Sequence, residues 1–427
     1  MSLKKSVISK FVPNLDRQIF TLALCRLLSQ IGTGFTLFYT SIFFVNQIGL
    51  SATSVGIALG SSQISGIIGR FLGGSFSDSE KFGRRKTLLL SSIISALASV
   101  FIATAHNFHT VIIGKLLLEL GIGLYWPAIE AIVADLTTPT ERQQAYAVAT
   151  LADNIGLQLG VIGSGIIVNF TGVYRALFIV HAISSLIFTA VIYLYMKESY
   201  KPNLSELRTD KNKSINGWLQ AFSDKNLIIF VVVNIFFTFY ISQIHSTIPL
   251  YLSNFVLVKF SPLIISIMFT GYTALTVIFQ LPVARKLSNF SHPQALIISA
   301  ILWGTGFLAI GISNTVEIGH IFWVIFALSL LAIAIISYTP SAAALVADFA
   351  PKSLRGIYLA INAQCWAIGF SIGPLLGGWV LDKTEIIVRN FWLGIAISAG
   401  IIIIFLQHLD RRIISIPGKR EQRRRNS

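Results

Sequence analysis

Twelve long apolar runs, separated by short polar breaks, constrain this chain more than any other feature of its sequence. A helix that crosses the hydrocarbon of a bilayer needs about 20 consecutive apolar residues. Runs of that kind recur with approximate cores at 18–46, 52–77, 87–105, 109–134, 144–168, 174–196, 226–254, 262–284, 294–313, 318–346, 356–380 and 390–408, numbered below as segments 1 to 12. Of 427 residues 54% are hydrophobic and only 12% charged, so a water-soluble globule would have no polar surface to cover it. Continuous runs predict helices, because barrel strands would show a weak alternation over about ten residues instead. The first segment is too long for a signal peptide and lacks a small-residue cleavage site, so it is expected to stay in the mature protein.

The formal net charge of +15 suggests nucleic acid until its placement is followed along the chain. Basic residues precede segment 1 (Lys4, Lys5, Lys10, Arg17), lie between segments 2 and 3 (Lys81, Arg84, Arg85, Lys86), and follow segments 4 (Arg142), 6 (Lys197 to Lys225), 8 (Arg285, Lys286), 10 (Lys352, Arg355) and 12 (Arg411 to Arg425). Alternating helices bring all of these to one side. The other side carries only Lys259, Lys383, Arg389 and Arg175. By the positive-inside rule the chain is expected in the plasma (inner) membrane, multi-pass, with both termini cytoplasmic. The basic tail then faces anionic membrane lipid, and no nucleic-acid partner is expected. Cys25 and Cys365 fall inside apolar segments and predict small core residues, not a disulfide framework.

The chain also repeats itself. Pro127 and Asp135 close segment 4 with the same spacing as Pro340 and Asp348 in segment 10, an offset of 348 − 135 = 213. That register continues without a gap through Arg142 and Arg355, Ala147 and Ala360, Gly156 and Gly369, Gly160 and Gly373, and Gly165 and Gly378. The polar stretch 197–225 divides six segments from six. The expected organisation is an N-terminal six-helix bundle over 1–196, a cytoplasmic linker over 197–225, and a C-terminal six-helix bundle with its basic tail over 226–427. The fold class is therefore an all-α membrane protein, twelve transmembrane helices in two pseudo-repeated bundles.

The loop after segment 2 carries the most specific motif. Gly74, Asp78 and then Gly83-Arg84-Arg85-Lys86 resemble the loop signature of the major facilitator superfamily, with two extra residues between Asp78 and Gly83. The resemblance covers essentially the whole chain. It implies a cytoplasmic latch of Gly74, Asp78, Gly83, Arg84, Arg85, Asp135 and Arg142, in which Asp78 meets a neighbouring helix N-terminus or a cation. In the second half Asn289 stands where the aspartate would be, so the latch is expected to be asymmetric. Segment 11 carries Gly369, Gly373, Pro374, Gly377 and Gly378, similar to the glycine-proline signature of the drug/proton antiporter branch of the family, although that signature belongs on segment 5. Segment 5 keeps Gly156 and Gly160 with Val161 in place of the proline. All of these glycines are expected to allow close helix packing.

Charged side chains deep in membrane helices cost several kcal/mol by most scales, roughly 2.5–3.5 by insertion, and are functional candidates by default. Lys115, Glu119, Trp126 and Glu130 follow steps of four, seven and four along segment 4 and share one face. Arg26, Gln30, Thr33 and Ser41 form a stripe on segment 1, and Asn234, Thr238, His245 and Pro249 one on segment 7. The resemblance implies that segments 1, 4, 7 and 10 line a central cavity. At the 213 offset Glu119, Glu130 and Asp153 meet Ala332, Ala343 and Trp366, so the buried acids belong to the first half alone.

Proton coupling is expected from Asp153, Glu119 or Glu130, with Lys115 and Arg26 as their cations. Asp153 leads because no partner sits on its own helix, and Lys115 and Glu119 equally read as a static pair. Glu130 also reads as part of the Asp78, Asp135 and Arg142 network. Gln30, Thr33, Trp126, His245, Trp323, Tyr338 and Trp366 are the substrate-cavity candidates, whereas His181 and His320 read as interfacial. No phosphate loop, metal-ligand spacing or nucleophile motif is present, so no enzyme, cofactor or metal is expected. The resemblance implies a monomeric secondary transporter working by alternating access, with protons and a small-molecule substrate as partners. Export of amphiphilic compounds matches the motifs best. Uptake of a sugar, organic acid or other metabolite, and a non-transporting receptor on the same fold, are the alternatives.

Overall fold

The computed structural model describes residues 17–138, 142–199, 218–287, 289–316, 318–351 and 354–414. Residues 200–217 of the expected linker and the tail beyond 414 lie outside the described residues. Among those described there is no strand, and twelve helices are long and apolar enough to cross a membrane. Segment 1 runs Arg17–Leu37 and resumes as Thr40–Asn46, and segments 2 to 6 are Ala52–Ser77, Gly83–Ala103, Phe108–Asp135, Arg142–Thr171 and Arg175–Tyr195. Segment 7 runs Lys225–His245 and resumes as Thr247–Asn254, and segments 8 to 12 are Pro262–Leu287, His292–Ile312, His320–Phe349, Arg355–Leu381 and Glu385–Ile414. Segment 12 starts earlier than its apolar core because the helix takes in the charged turn at Glu385 and Arg389.

The repeat is visible in the helices themselves. Segments 1 and 7 both break and resume, after Leu37 and after His245, an offset of 245 − 37 = 208, and segments 4 and 10 each contain an internal proline, Pro127 and Pro340. Local chemistry sets several helix starts. Asn107 and Thr110 form a capping box on segment 4, Ser291 and Gln294 one on segment 9, and the Asp224 side chain caps segment 7. Outward faces carry exposed Phe71, Phe170, Leu194 and Ile404, which only lipid can solvate.

The chain divides into two compact units, Met1–Leu50 with Ser61–Leu204, and Ser51–Gly60 with Ser205–Ser427. In the first, segment 1 packs on 5 and 6, and segment 3 on 4 and 6. In the second, segment 7 packs on 11, and segment 9 on 10 and 12. Glycines make the tightest of these contacts. A Cβ at Gly156 would strike the Leu27 carbonyl, and one at Gly160 the Ile31 carbonyl. On segment 11, Gly369, Gly373 and Gly377 lie against Thr238, Ser242 and Thr247. Gly378 and the Pro374 carbonyl instead meet the first turns of segment 2, at Ala52 and Gly56, where the Asp382 carboxylate accepts from the backbone N–H groups of Ala52 (3.0 Å) and Thr53 (2.7 Å). The opening turns of segment 2 therefore cluster with the second unit.

Candidate functional site

Segment 1 delivers Arg26 into the first unit, where it is almost completely buried, its side chain 5% exposed. An unpaired guanidinium there would be very costly. Two carboxylates compensate it. Arg26 Nε donates to both Asp153 oxygens (3.0 and 3.1 Å), Nη2 donates to Asp153 Oδ2 (2.5 Å), and Nη1 donates to Glu130 Oε1 (2.9 Å). The Trp126 ring lies 5.5 Å from the guanidinium carbon and holds it by a cation–π contact. Asp153, which has no partner on its own helix, thus finds a forked one on segment 1. Glu130, read also as part of the Asp78, Asp135 and Arg142 network, joins Arg26 here, and the Arg142 side chain lies outside the described residues. The two acids differ in access, their side chains being 17% exposed at Asp153 and 40% at Glu130. One guanidinium against two carboxylates leaves one negative charge in excess.

Lys115 and Glu119 form a separate pair one helical turn apart (2.9 Å), with Glu119 also packed against Gly66 of segment 2. The first unit also holds a cavity of about 150 Å³. Gln30, Thr33 and Trp126 line it together with Tyr125, His181 and several serines. His181 is corrected from interfacial to internal. Gly32, having no side chain, leaves room for the imidazole, whose Nδ1 lies 3.2 Å from Ser99 Oγ. His320 is half-buried at the start of segment 10, its Nδ1 2.7 Å from the Ser313 carbonyl.

The second unit holds a neutral network at the matching place. Tyr338 Oη donates to Asn234 Oδ1 (2.5 Å), and Asn234 Nδ2 donates to Asn362 Oδ1 (2.9 Å). Tyr338 is the 213-offset partner of Tyr125, and Asn234 is the 208-offset partner of Arg26. Aromatic rings continue from it: Tyr338 to Trp366 (6.3 Å), Trp366 to Phe370 (5.8 Å, stacked) and Phe370 to His245 (5.9 Å, stacked). Trp323 is apart from this strip, packed on the exposed Phe322 and Phe326. Sequence reasoning did not single out Asn362, Phe370 or Tyr125. The Tyr125 and Tyr338 match was a usable signal for the last.

The latch residues gather around Arg84, which pairs with Asp78 and with Asp135 (3.1 Å). Glu198 accepts from the backbone N–H groups of Arg84 (2.9 Å) and Arg85 (3.1 Å), where like all anions it suits a helix N-terminus. Gly83 has φ +69°, a backbone conformation that favours glycine, and lies against that carboxylate. Arg85 reaches the Tyr193 carbonyl (2.5 Å). Gly74 borders open space, and the Arg142 side chain lies outside the described residues. In the second unit the corresponding pair is His292 and Asp348, at 3.8 Å.

Twelve membrane-crossing helices, repeated six and six around polar groups, define a multi-pass membrane transporter fold. The family model for the major facilitator superfamily matches residues 22–258 and 256–426, and the chain belongs to that superfamily. It is 23% identical over 413 residues to a Na(+), Li(+), K(+)/H(+) antiporter of Planococcus maritimus, covering 88% of this chain and 93% of that protein. It is 25% identical over 351 residues to the multidrug resistance protein MdtH of Salmonella typhimurium, covering 82% and 83%. Among solved structures, the nucleoside transporter NupG aligns with a TM-score of 0.75 at 14% identity over 92% of this chain and 99% of that one. A POT family transporter in complex with a thioalcohol conjugated peptide aligns with a TM-score of 0.72 at 15% identity, over 92% and 96%. At such identities these two show the fold alone.

Proposed function

We propose that this protein is a proton-coupled secondary transporter that exports small amphiphilic compounds by alternating access from the plasma (inner) membrane, with both termini cytoplasmic. The Arg26, Glu130 and Asp153 triad carries the reading. Its excess negative charge lies in a membrane-spanning unit, where net charge is expensive, and binding one proton makes the triad neutral. Loading and releasing that proton is the charge change that a coupled cycle requires. The aromatic strip of Trp366, Phe370 and His245 is the apolar, stackable surface that an amphiphile would use. The similarity to MdtH supports a drug-like cargo. The antiporter relative raises a cation as cargo, but Arg26 already occupies both carboxylates with a fixed positive group, which disfavours a bare alkali ion between them.

The test is flux in proteoliposomes against a panel of amphiphilic cations, metabolites and alkali ions, under pH gradients of both directions. Wild-type protein should move an amphiphile against its gradient when the pH gradient is imposed. Asp153→Asn should insert normally and lose that dependence. Unchanged gradient-driven flux in the variant would overturn the proton assignment.

A further inference from the structure

The mechanism proposed above uses the triad and leaves unexplained why the first unit buries a histidine beside a hydroxyl-lined cavity. The cavity reaches from His181 at one end to Tyr125 and Trp126 at the other, with Ser29, Ser92, Ser95 and Ser185 along its wall. The space, about 150 Å³, is large enough for water, and its hydroxyls offer the polar partners that internal water needs. Three of its hydroxyls are oriented: Ser91 Oγ donates to the Gly121 carbonyl (2.8 Å), Ser92 Oγ to Leu89 (2.9 Å) and Thr33 Oγ1 to Ser29 (3.1 Å), so these protons are committed to backbone and the oxygens face other groups as acceptors, Ser92 already accepting from Thr189 (2.7 Å). Acceptors of this kind suit water, and water carrying an extra proton.

Both ends of the cavity are equipped to exchange one. The Tyr125 hydroxyl is buried and completes no hydrogen bond, Ser29 standing beside it outside hydrogen-bond geometry. Its ring lies 5.3 Å from that of Trp126, which in turn covers the Arg26 guanidinium. At the other end Ser99 Oγ donates to the Ser95 carbonyl (2.8 Å), so toward His181 it can only accept. That assigns the proton of the neutral imidazole to Nδ1 and leaves Nε2 with a free lone pair on the Gly32 side of the ring. The charged groups bearing on His181 are Lys115, paired with Glu119, from segment 4; segments 1 and 3 present Gly32 and Ser99, and the acid of segment 5 is Asp153, held by Arg26.

The geometry points to a proton relay through the first unit, from the triad by way of the Tyr125 hydroxyl and cavity water to His181 Nε2. It rests on the proton-coupled reading of the triad. In the transfer the Asp153 carboxylic acid gives its proton to the chain and returns to carboxylate. Tyr125 accepts on one lone pair as it releases its own proton to the next water, and Nε2 takes the last proton to form imidazolium. No atom other than the proton is exchanged. Glu130, the more exposed acid, then serves the opposite access, so the triad becomes a junction between two proton routes.

The experiment needs no substrate: a stopped-flow pH jump on the purified full chain, with pyranine reporting proton uptake. Asp153→Asn and Glu130→Gln identify the phase that belongs to the triad. Tyr125→Phe removes one oxygen, and His181→Gln keeps a polar group without a titrating one. Both should leave the amplitude of that phase intact and slow it by at least roughly tenfold. Rates within about twofold of wild type in a monodisperse Tyr125→Phe protein overturn the relay, whatever happens to His181→Gln. A phase that neither Asp153→Asn nor Glu130→Gln alters overturns the coupled reading itself, which separates the two failures.

Discussion

The two units place very different chemistry on equivalent helices. Where segment 1 offers Arg26 to two acids, segment 7 offers Asn234 to Tyr338 and Asn362. Both networks tie the first, fourth and fifth helices of their repeat together. Only one of them carries charge. A neutral network that is fully hydrogen-bonded holds helices in place at any pH. A charged one with an odd ion changes its energy with each proton. At the helix ends the two units differ in closeness instead, Arg84 and Asp135 at 3.1 Å against His292 and Asp348 at 3.8 Å. Duplication supplied two similar scaffolds, and among the described residues the buried charged side chains, Arg26 and Lys115, lie in the first.

Five substitutions would break or sharpen this contrast. Arg26→Ala strips both acids of their partner and should have the largest effect, about 3–5 kcal/mol of destabilisation as expected for half of a buried ion pair. Thermal unfolding in detergent measures it, and adding Asp153→Asn should recover part of the loss. Next, Asp153→Asn should lower pH-gradient-driven flux by at least about tenfold, whereas Asn362→Ala should leave the pH dependence unchanged while altering stability. Equal pH responses in the two would erase the distinction between the units. Tyr338→Phe leaves Asn234 Oδ1 without its donor and should cost about 1–2 kcal/mol, with the unfolding midpoint as the readout. The smallest effect is expected from Glu198→Gln, which weakens the cap over Arg84 and Arg85 by about 0.5–1 kcal/mol.

Much of this was legible along the chain because lipid imposes simple rules. Every crossing needs an uninterrupted apolar run, and repeats that share a fold keep their register, as Pro127 with Pro340 and Gly156 with Gly369 show. The face shared by Lys115, Glu119, Trp126 and Glu130 also followed from helical periodicity. Pairing did not. Arg26 is 127 residues from Asp153, and no local pattern connects them. The match between Arg26 and Asn234 was hidden too, since it lies at 208 and not 213, the connections in the two halves differing in length. His181 read as interfacial because hydropathy measures how apolar a segment is, not which neighbour it faces.

By itself, then, the sequence determined twelve helices, their division into repeats, the superfamily and the half in which the acids lie. Those properties depend on composition, period and spacing, which are written along one dimension. Tertiary structure decided that Asp153 and Glu130 share one arginine, that His181 turns inward past Gly32 onto a cavity, and that Tyr338 closes a neutral network. These depend on how helices rotate against one another. That rotation is set by close glycine contacts such as Gly156 on Leu27 and Gly369 on Thr238, whose partners are distant in the chain.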